Sequence, residues 1–581
     1  IYAKLLSFLD KKRFTDEDMW YDVGECLYSI TKGKEDGLYL WEHYSAEELK
    51  KKCKEEWVTF TKINIKISTL RCWAAIDSPI AYKEWNDNNI TSLIEACLTP
   101  KASFADYADV IYELWKDKYI CIDSVKNIWY EFRHHRWNLI DKAILIKRIT
   151  KNIRSLFDRK LDFLNKAYDD TEEDDERELL FEKQKACNNI VKGLGDPTFL
   201  NKVIKMCCGL FFNDEFARLK DSKPNLLCHK NGVYDYDKGC LRPGVPEDYI
   251  TRCTNQIYRD DYTWDHPDVK EVLNIFKKLL PDDKKRDYFF KFLSSLGYSR
   301  NTDKIIKGWI GPKGNNGKSW TQNLILEMFG SYAQVLPITI LCGSDAKLGS
   351  AVAELFGTIG LKVVFFCETN LSAKLNSGMC KRISGDDIQF VRGLYKEEGI
   401  QLRISWKPIV VSNNIPAADS ANEKVVWDRW AIVKFISQFV HDAPKDVKEQ
   451  FKRCVFPVDT NFSRKIPFVI QPLMWILNKY YKKYKKEGLT KPDVVKIATK
   501  EFASKHDYFA QFYDLHIKRD NNAVIDLKSV YDEFKNWYSD SFPKTLTPNI
   551  GQLKDDMVFK FCNPENNNWS GYKLVTSFEI N

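Results

Sequence analysis

The chain has 581 residues, of which 44% are hydrophobic, 29% charged and 14% aromatic, with a net charge of +8. At roughly 150 residues per domain this length predicts three to five domains in series rather than one core, and so mild a positive charge does not by itself specify an anionic partner. No apolar run reaches the roughly 18 residues that span a bilayer, and the N-terminus lacks a charged-then-apolar leader, so nothing points to a membrane or to export.

Residues 1–80 predict a small helical unit: Trp20, Val23, Leu27 and Ile30 share one helical stripe, and Ser45-x-x-Glu48 has the spacing of a capping box. Segment 81–300 is of mixed character. It is mostly helical to about Asn213, and its acidic run from Asp169 to Glu178 is expected to be a solvated loop. From Leu226 to Tyr258, Gly and Pro punctuation, short apolar alternation and the Asn231-Gly232 dipeptide favour strands and turns. Asp235 and Asp237 stand there at i and i+2, as a metal-binding pair of a polymerase would. With a turn signal beside them and no third acid at useful spacing, they read as turn residues. The sixteen cysteines include no C-x-x-C pair and read as reduced, intracellular thiols. Cys228, His229, Cys240 and Cys253 could be assembled into a metal site, but their spacing fits no common zinc module. The first residue, Ile1, suggests that an upstream domain precedes it.

Segment 301–440 alternates strand and helix patterns, the mark of an α/β layer. Segment 441–510 is helical and basic. Its lysines 479, 482, 483, 485 and 486 are interleaved with Tyr480, Tyr481 and Tyr484, which suits either contact with DNA phosphates or lysines complementing a helix C-terminus. Segment 511–581 places a helix around Leu527 to Trp537 ahead of strand-like pieces, an arrangement that suits a winged helix-turn-helix. The predicted fold class is a multidomain α/β and α chain with a P-loop ATPase (AAA+-like) core, helical N-terminal domains and a helical or winged-helix C-terminal region.

The chemistry concentrates in segment 301–440. Ile305 to Ile310 is a short apolar strand, followed by Gly311-Pro312-Lys313-Gly314-Asn315-Asn316-Gly317-Lys318-Ser319. A helix follows with Trp320, Leu324, Ile325, Met328 and Phe329 on one side. Strand, glycine loop and helix in that order make a cradle for a nucleoside triphosphate. Gly and Asn tolerate the left-handed backbone that turns the N–H groups of Gly314, Asn315, Asn316 and Gly317 toward phosphate oxygens. Lys318 then reaches the β- and γ-phosphates and Ser319 ligates Mg²⁺. The usual pattern has a glycine where this chain has Pro312, and Gly314 is expected to supply the missing freedom.

Downstream, the buried-strand run Leu361 to Cys367 ends in Glu368, which is expected to polarise the attacking water beside the magnesium. The strand Ile409 to Ser412 ends in Asn413, a candidate amide sensor of the γ-phosphate. Arg429 precedes an apolar run to Phe435, and its guanidinium, supplied across a subunit boundary, would stabilise charge on the transferred phosphoryl group. Each of the three has an ordinary reading as a core strand end or a turn. Their ordered series predicts an ATPase that uses ATP and Mg²⁺.

In sequence order, GNNGKS, VVFFCE, CKRISGDDIQFVRGLYK, IVVSNNIP and WDRWAIVKF resemble the successive motifs of superfamily 3 helicases. The resemblance is to the poxvirus-type primase-helicases of large cytoplasmic DNA viruses in particular, African swine fever virus-type proteins among them. It implies an ATP-dependent DNA helicase that forms a homo-hexamer with its sites between subunits and travels 3′ to 5′ on single-stranded DNA. Its partners would be forked DNA and viral replication proteins, and its place the host cytoplasm. The resemblance gives Lys318, Ser319, Glu368, Asn413 and Arg429 the roles above. It also puts Arg392, Tyr395 and Lys396 in a DNA-contacting hairpin, where cations track phosphates and the ring offers a stacking face; a solvated charged hairpin is the plainer reading.

Many members of the superfamily carry two adjacent acids where this chain has Cys367-Glu368, so one carboxylate is expected to serve both purposes. Trp20 to Trp73 resembles the helical domain that follows the catalytic primase. The surroundings of Trp129, Tyr130 and Trp137 and the segment Asn231-Gly232-Val233 resemble the region before the helicase, and Trp569 to Lys573 resembles its C-terminal domain. Primer synthesis is not expected of these residues. Two other readings stay open: a motor that packages duplex DNA, and a DNA-binding assembly or initiator protein that uses ATP as a structural switch.

Overall fold

The computed structural model describes the chain except for residues 62–64, 312–313, 343–354, 356, 368–374, 386–387, 392–399, 414–426, 505–506, 543–546 and 577–581. The described residues form two compact units, Ile1–Cys253 and Thr254–Asn581.

The first unit opens with helices. Trp20, Val23 and Leu27 of the helix Glu17–Thr31 are buried and Ile30 packs against the same core, as their spacing predicts. Trp41 stacks on Trp20 with centroids 4.4 Å apart. The capping box at Ser45 does not form, and the helix Glu47–Trp57 begins without a side-chain cap. Ser45 is buried instead: its hydroxyl accepts from Trp20 Nε1 (2.7 Å) and donates to Trp41 O (2.6 Å). A buried indole N–H without an acceptor is costly, whereas an exposed helix start can be satisfied by water.

An antiparallel sheet of Tyr119–Asp123, Ile128–Arg133 and Arg136–Ile140 interrupts the stretch predicted to be mostly helical. The acidic run is also more ordered than expected. The helices Arg154–Asp170 and Asp174–Gly193 take up most of it, and Asp174, Asp175 and Glu176 fall in a first turn, where carboxylates favour the positive end of the helix dipole. The predicted strands near Asn231 are present as Leu226–His229, Gly232–Asp235 and Cys240–Arg242. Asp235 is a turn former: its Oδ1 accepts from Asn225 Nδ2 (2.9 Å) and from the backbone N–H of Asp237 (3.1 Å). Among the described residues no cysteines are joined in a disulfide, and no group of three or more His, Cys, Asp or Glu could hold a metal ion. No described helix is long and apolar enough to cross a membrane.

The second unit begins with helices α1 (Pro267–Leu279) and α2 (Asp283–Ser295). There follow β1 (Ile306–Ile310), α3 (Lys318–Phe329), β2 (Ala333–Pro337), β3 (Val363–Cys367) and α4 (Ser377–Ser384). An antiparallel hairpin of β4 (Ile388–Val391) and β5 (Ile400–Arg403) leads to β6 (Lys407–Ser412) and β7 (Trp430–Lys434). Strands β7-β1-β6-β3-β2, in that spatial order, make one parallel sheet. Parallel sheets are covered on both faces, which is why β3 reads as a continuous apolar run: Val363, Val364, Phe365 and Phe366 are all 0% exposed. Lys407, buried in the sheet, donates from Nζ to Ser295 O (2.7 Å) and Tyr298 O (2.8 Å), satisfying carbonyls at the C-terminal end of α2.

Beyond the sheet, β8 (Gln438–Val440) and β9 (Val455–Pro457) pair in parallel, a small lobe that the sequence reading took for part of a helical region. The long helix α5 (Ile466–Glu487) and α6 (Asp493–Ser504) follow. On α5 the tyrosines turn toward the core: Tyr481 stacks on Tyr298, and Tyr484 Oη donates to Asp303 Oδ2 (2.9 Å). Lys483 pairs with Asp287 at 2.6 Å, while Lys482, Lys485 and Lys486 are exposed. The chain ends in α7 (Tyr508–His516), β10 (Ile517–Asp526), α8 (Leu527–Ser541), α9 (Ile550–Phe561) and β11 (Asn568–Leu574), with β10 and β11 antiparallel. These elements share a core that includes Phe512, Phe534, Leu553 and Met557.

Candidate functional site

The C-terminal ends of the parallel strands bring two of the predicted residues, Lys318 and Asn413, together. Ser412 pairs with Ile310 and Val411 with Cys367, so the loop after β1 and Asn413 after β6 emerge along one edge of the sheet. Lys318, 6% exposed, donates from Nζ to Gly311 O and to Asn413 Oδ1, both at 2.8 Å. A buried ammonium needs such acceptors, and here they are a loop carbonyl and the predicted sensor amide.

The loop obtains its turn differently from the expectation placed on Gly314. That residue has no positive φ, and a side chain there would meet open space. The left-handed positions are Asn315 (φ 54°) and Gly317 (φ 82°). Gly311 is needed for space: a Cβ would lie 2.1 Å from Asn316 Nδ2 and 2.9 Å from Phe435 O. Gly317 lies against α1, where a Cβ would meet Leu279 Cδ2 at 2.1 Å. Asn316 is buried and its Oδ1 accepts from the Lys318 N–H at 3.3 Å, while Asn315 O accepts from the N–H of Phe439 at 2.9 Å. The loop is therefore anchored from both sides before any ligand binds.

Asn315, Asn316, Gly317, Lys318 and Ser319 line a cleft of 380 Å³. Ser319 is exposed in it, and its hydroxyl, in the first turn of α3 next to Lys318, is a suitable oxygen ligand for a hard cation such as Mg²⁺. Glu368, the other predicted metal and water ligand, lies outside the described residues. Its neighbour Cys367, at the end of β3, accepts at Sγ from Gln322 Nε2 (3.2 Å) on α3, so the end of β3 is tied to the helix that follows the glycine loop.

Arg429 is elsewhere. Its carbonyl accepts from Ile306 N (2.7 Å) at the start of β1, five residues and about 16 Å from Gly311 at the strand rise of ~3.3 Å. Its guanidinium Nη1 donates to Lys381 O and Ser384 Oγ, both at 3.1 Å, at the C-terminal end of α4. Within one chain it is at the opposite edge of the sheet from Lys318. Arg392, Tyr395 and Lys396 lie outside the described residues; the strands that precede and follow them, β4 and β5, pair antiparallel from Ile388↔Arg403 to Val391↔Ile400.

Sequence reasoning missed the rest of the cleft. Glu271, Asn274, Ile275 and Lys278 of α1, and Phe439, Pro457, Val458, Asp459 and Phe462 around the small lobe, complete the lining with a few neighbours. The i, i+3, i+4, i+7 spacing on α1 reveals a helix face. Nothing in the sequence says which partner that face meets.

Comparison with known proteins bears on the flanking regions and on the chain as a whole. Residues 2–74 match the family model described as Primase C terminal 2, and residues 108–281 match D5 N terminal like. A mimivirus (Acanthamoeba polyphaga mimivirus) protein named as a putative helicase is 30% identical over 95% of this chain and 58% of its own length. A protein of the same designation from Invertebrate iridescent virus 3 is 27% identical over 93% of this chain and 62% of its own length. The chain is a relative of these large-DNA-virus proteins. It spans about three fifths of their length. A solved structure, the apo NrS-1 C terminal region, aligns with 56% of this chain and 75% of its own at 12% identity and a TM-score of 0.28, too loose a superposition to carry an argument about fold or function.

Proposed function

We infer that the chain is the motor portion of a viral primase-helicase: an ATP-dependent DNA helicase with a P-loop core of the AAA+ type. The observation that carries this reading is the bond between Lys318 and Asn413 at the C-terminal edge of a parallel sheet, in which the Asn413 strand lies between the phosphate-loop strand and the strand leading to Glu368. That order lets one edge present a phosphate cradle, an amide and a carboxylate to the same triphosphate. The viral relatives, themselves named as helicases, support the same reading.

In this reading the N–H groups of the loop and the N-terminus of α3 receive the β- and γ-phosphates. Lys318 exchanges its contact with Gly311 O for phosphate oxygens, and Asn413 holds its ammonium in line. Ser319 and Glu368 hold Mg²⁺, which neutralises charge on the phosphates. Glu368 orients the attacking water. Arg429, facing away from its own cleft, serves the cleft of a neighbouring subunit, which requires a head-to-tail ring of the hexameric kind. The β4–β5 hairpin carries Arg392, Tyr395 and Lys396 toward single-stranded DNA. The helix-strand-helix-helix-strand order of the last domain suits a winged helix. The divisions 1–80, 81–300, 301–440, 441–510 and 511–581, travel from 3′ to 5′ and work beside viral replication proteins in the host cytoplasm belong to the same proposal.

The test is ATP-dependent strand displacement by the purified chain on duplexes with a 3′ or a 5′ single-stranded tail. Displacement from the 3′ tail alone is expected. Hydrolysis and ring formation without displacement would favour the assembly or initiator reading, and translocation on blunt duplex without strand separation would favour the packaging motor.

A further inference from the structure

Phosphate chemistry uses only one wall of the 380 Å³ cleft. The other lining has a construction of its own. Asn274, Ile275 and Lys278 come from a single face of α1, and Phe439 and Phe462 come from the lobe of β8 and β9 and the turn after it. This aromatic wall is built onto the phosphate loop. The Phe439 N–H donates to Asn315 O at 2.9 Å, and the Phe439 ring lies nearly parallel to that of Phe462 (6.3 Å, 23°). Phe462 in turn stacks on Trp320 (4.3 Å, 25°), whose Nε1 donates to Phe462 O at 3.1 Å. Trp320 is two residues after Lys318, so phosphate loop and ring stack move as one body.

Lys278 of this lining is half-buried, and the other polar groups are at the rim, engaged, or part of the phosphate loop. Asn274 and Glu271 are exposed, and the Asp459 carboxylate is held by the Asn461 N–H (2.9 Å) and by Lys465 (3.1 Å). The buried polar side chains of the described lining, Asn316 and Lys318, belong to the phosphate loop. Beside the Lys278 side chain, what remains for the far end of a nucleotide is an aromatic and aliphatic surface in a space of the size that takes small molecules.

Resting on the nucleotide reading above, we propose that Phe439 and Ile275 form the base slot of this site. The purine ring stacks on Phe439 with Ile275 against its other face, so affinity for the base comes from ring contact rather than from buried hydrogen bonds. Phe439 thereby has two roles: its backbone holds the phosphate loop at Asn315, and its side chain holds the base.

Titration calorimetry of the full chain, with ADP and with inorganic tripolyphosphate in the presence of magnesium, separates the two roles. Phe439→Ala keeps the backbone N–H and is expected to weaken ADP about ten-fold, the order set by loss of one aromatic-base stack, while tripolyphosphate changes less than about two-fold. Phe439→Trp should retain ADP binding. Ile275→Ala, on the opposite wall, should weaken ADP selectively and serves if Phe439→Ala does not fold. Equal loss of both ligands, or no loss of ADP, in the alanine variants overturns the slot. Lys318→Ala reports separately on the nucleotide reading: it should weaken both ligands, and if it weakens neither, that reading falls and the slot with it.

Discussion

Replacing Gly317 by alanine tests the most constrained contact of the phosphate loop. Two costs add. A left-handed backbone (φ 82°) disfavours any Cβ by roughly 1–2 kcal/mol. The new methyl would also lie 2.1 Å from Leu279 Cδ2, and because Leu279 is 0% exposed it cannot swing into solvent, so overpacking costs about 1–3 kcal/mol more. Stiffening of the unfolded chain returns about 0.4–1 kcal/mol, leaving a net loss of about 1–5 kcal/mol. In a Leu279→Ala background the methyl finds room, and Gly317→Ala should cost only the backbone share, so the two substitutions couple by about 1–3 kcal/mol. Native-state hydrogen exchange of the α3 amides reads this locally, which matters in a chain of several domains. If Gly317→Ala costs the same in both backgrounds to within about 0.5 kcal/mol, the contact with α1 is not what excludes a side chain here.

Three further outcomes are expected. Mixing Arg429→Ala with Lys318→Ala chains should restore hydrolysis that neither has alone, because about one interface in four of a random ring pairs an intact Lys318 with a neighbour's intact Arg429; no recovery would count against action between subunits. In the first unit, Arg242 forms a bidentate pair with the buried Asp248 (2.9 and 2.8 Å). Burial opposes ionisation of Asp248, yet the Arg242 charge outweighs it and holds the carboxyl below its ordinary 3.8. A depressed carboxylate stabilises the fold above its unfolded value and loses that contribution as pH falls through the folded value, hence below about 4. Arg242→Met should therefore destabilise this unit by about 3–5 kcal/mol at neutral pH, and because the variant lacks the pair that acid breaks, its deficit relative to the parent chain should shrink below about pH 4, followed by circular dichroism; a deficit that stays constant as pH falls would refute the assignment. Finally, neutralising the exposed Lys482, Lys485 and Lys486 should flatten the salt dependence of DNA binding if this end of α5 meets phosphates, whereas an unchanged slope would leave these lysines a solvated face.

Much of the second unit was legible because parallel strands and glycine loops impose local patterns. A strand buried on both faces must be apolar throughout, so β3 and β6 stand out, and a loop that needs left-handed positions must spend Asn or Gly on them, as Asn315 and Gly317 do. Helical periodicity likewise revealed the stripe of Trp20, Val23 and Leu27. Where the sequence reading erred, a tertiary partner outbid a local signal. Ser45 serves two tryptophans instead of capping a helix; the acidic run, by contrast, is mostly helical for a local reason, its carboxylates falling in a first turn.

The sequence by itself determined the order of phosphate loop, acid, amide and arginine, since each depends on residue type and its neighbours along the chain. Only the tertiary structure decided which of them meet. Parallel register sets Lys318 beside Asn413, 95 residues away, and the same register leaves Arg429 at the far edge of the sheet. The walls of the cleft were decided there too: Ile275 and Phe439 lie on opposite sides of the phosphate loop in sequence and carry no motif, and it is the packing of α1 against Gly317 through Leu279, and of Phe439 on Asn315, that brings both to one cleft. Such contacts depend on what faces a surface after folding, which local residue patterns do not encode.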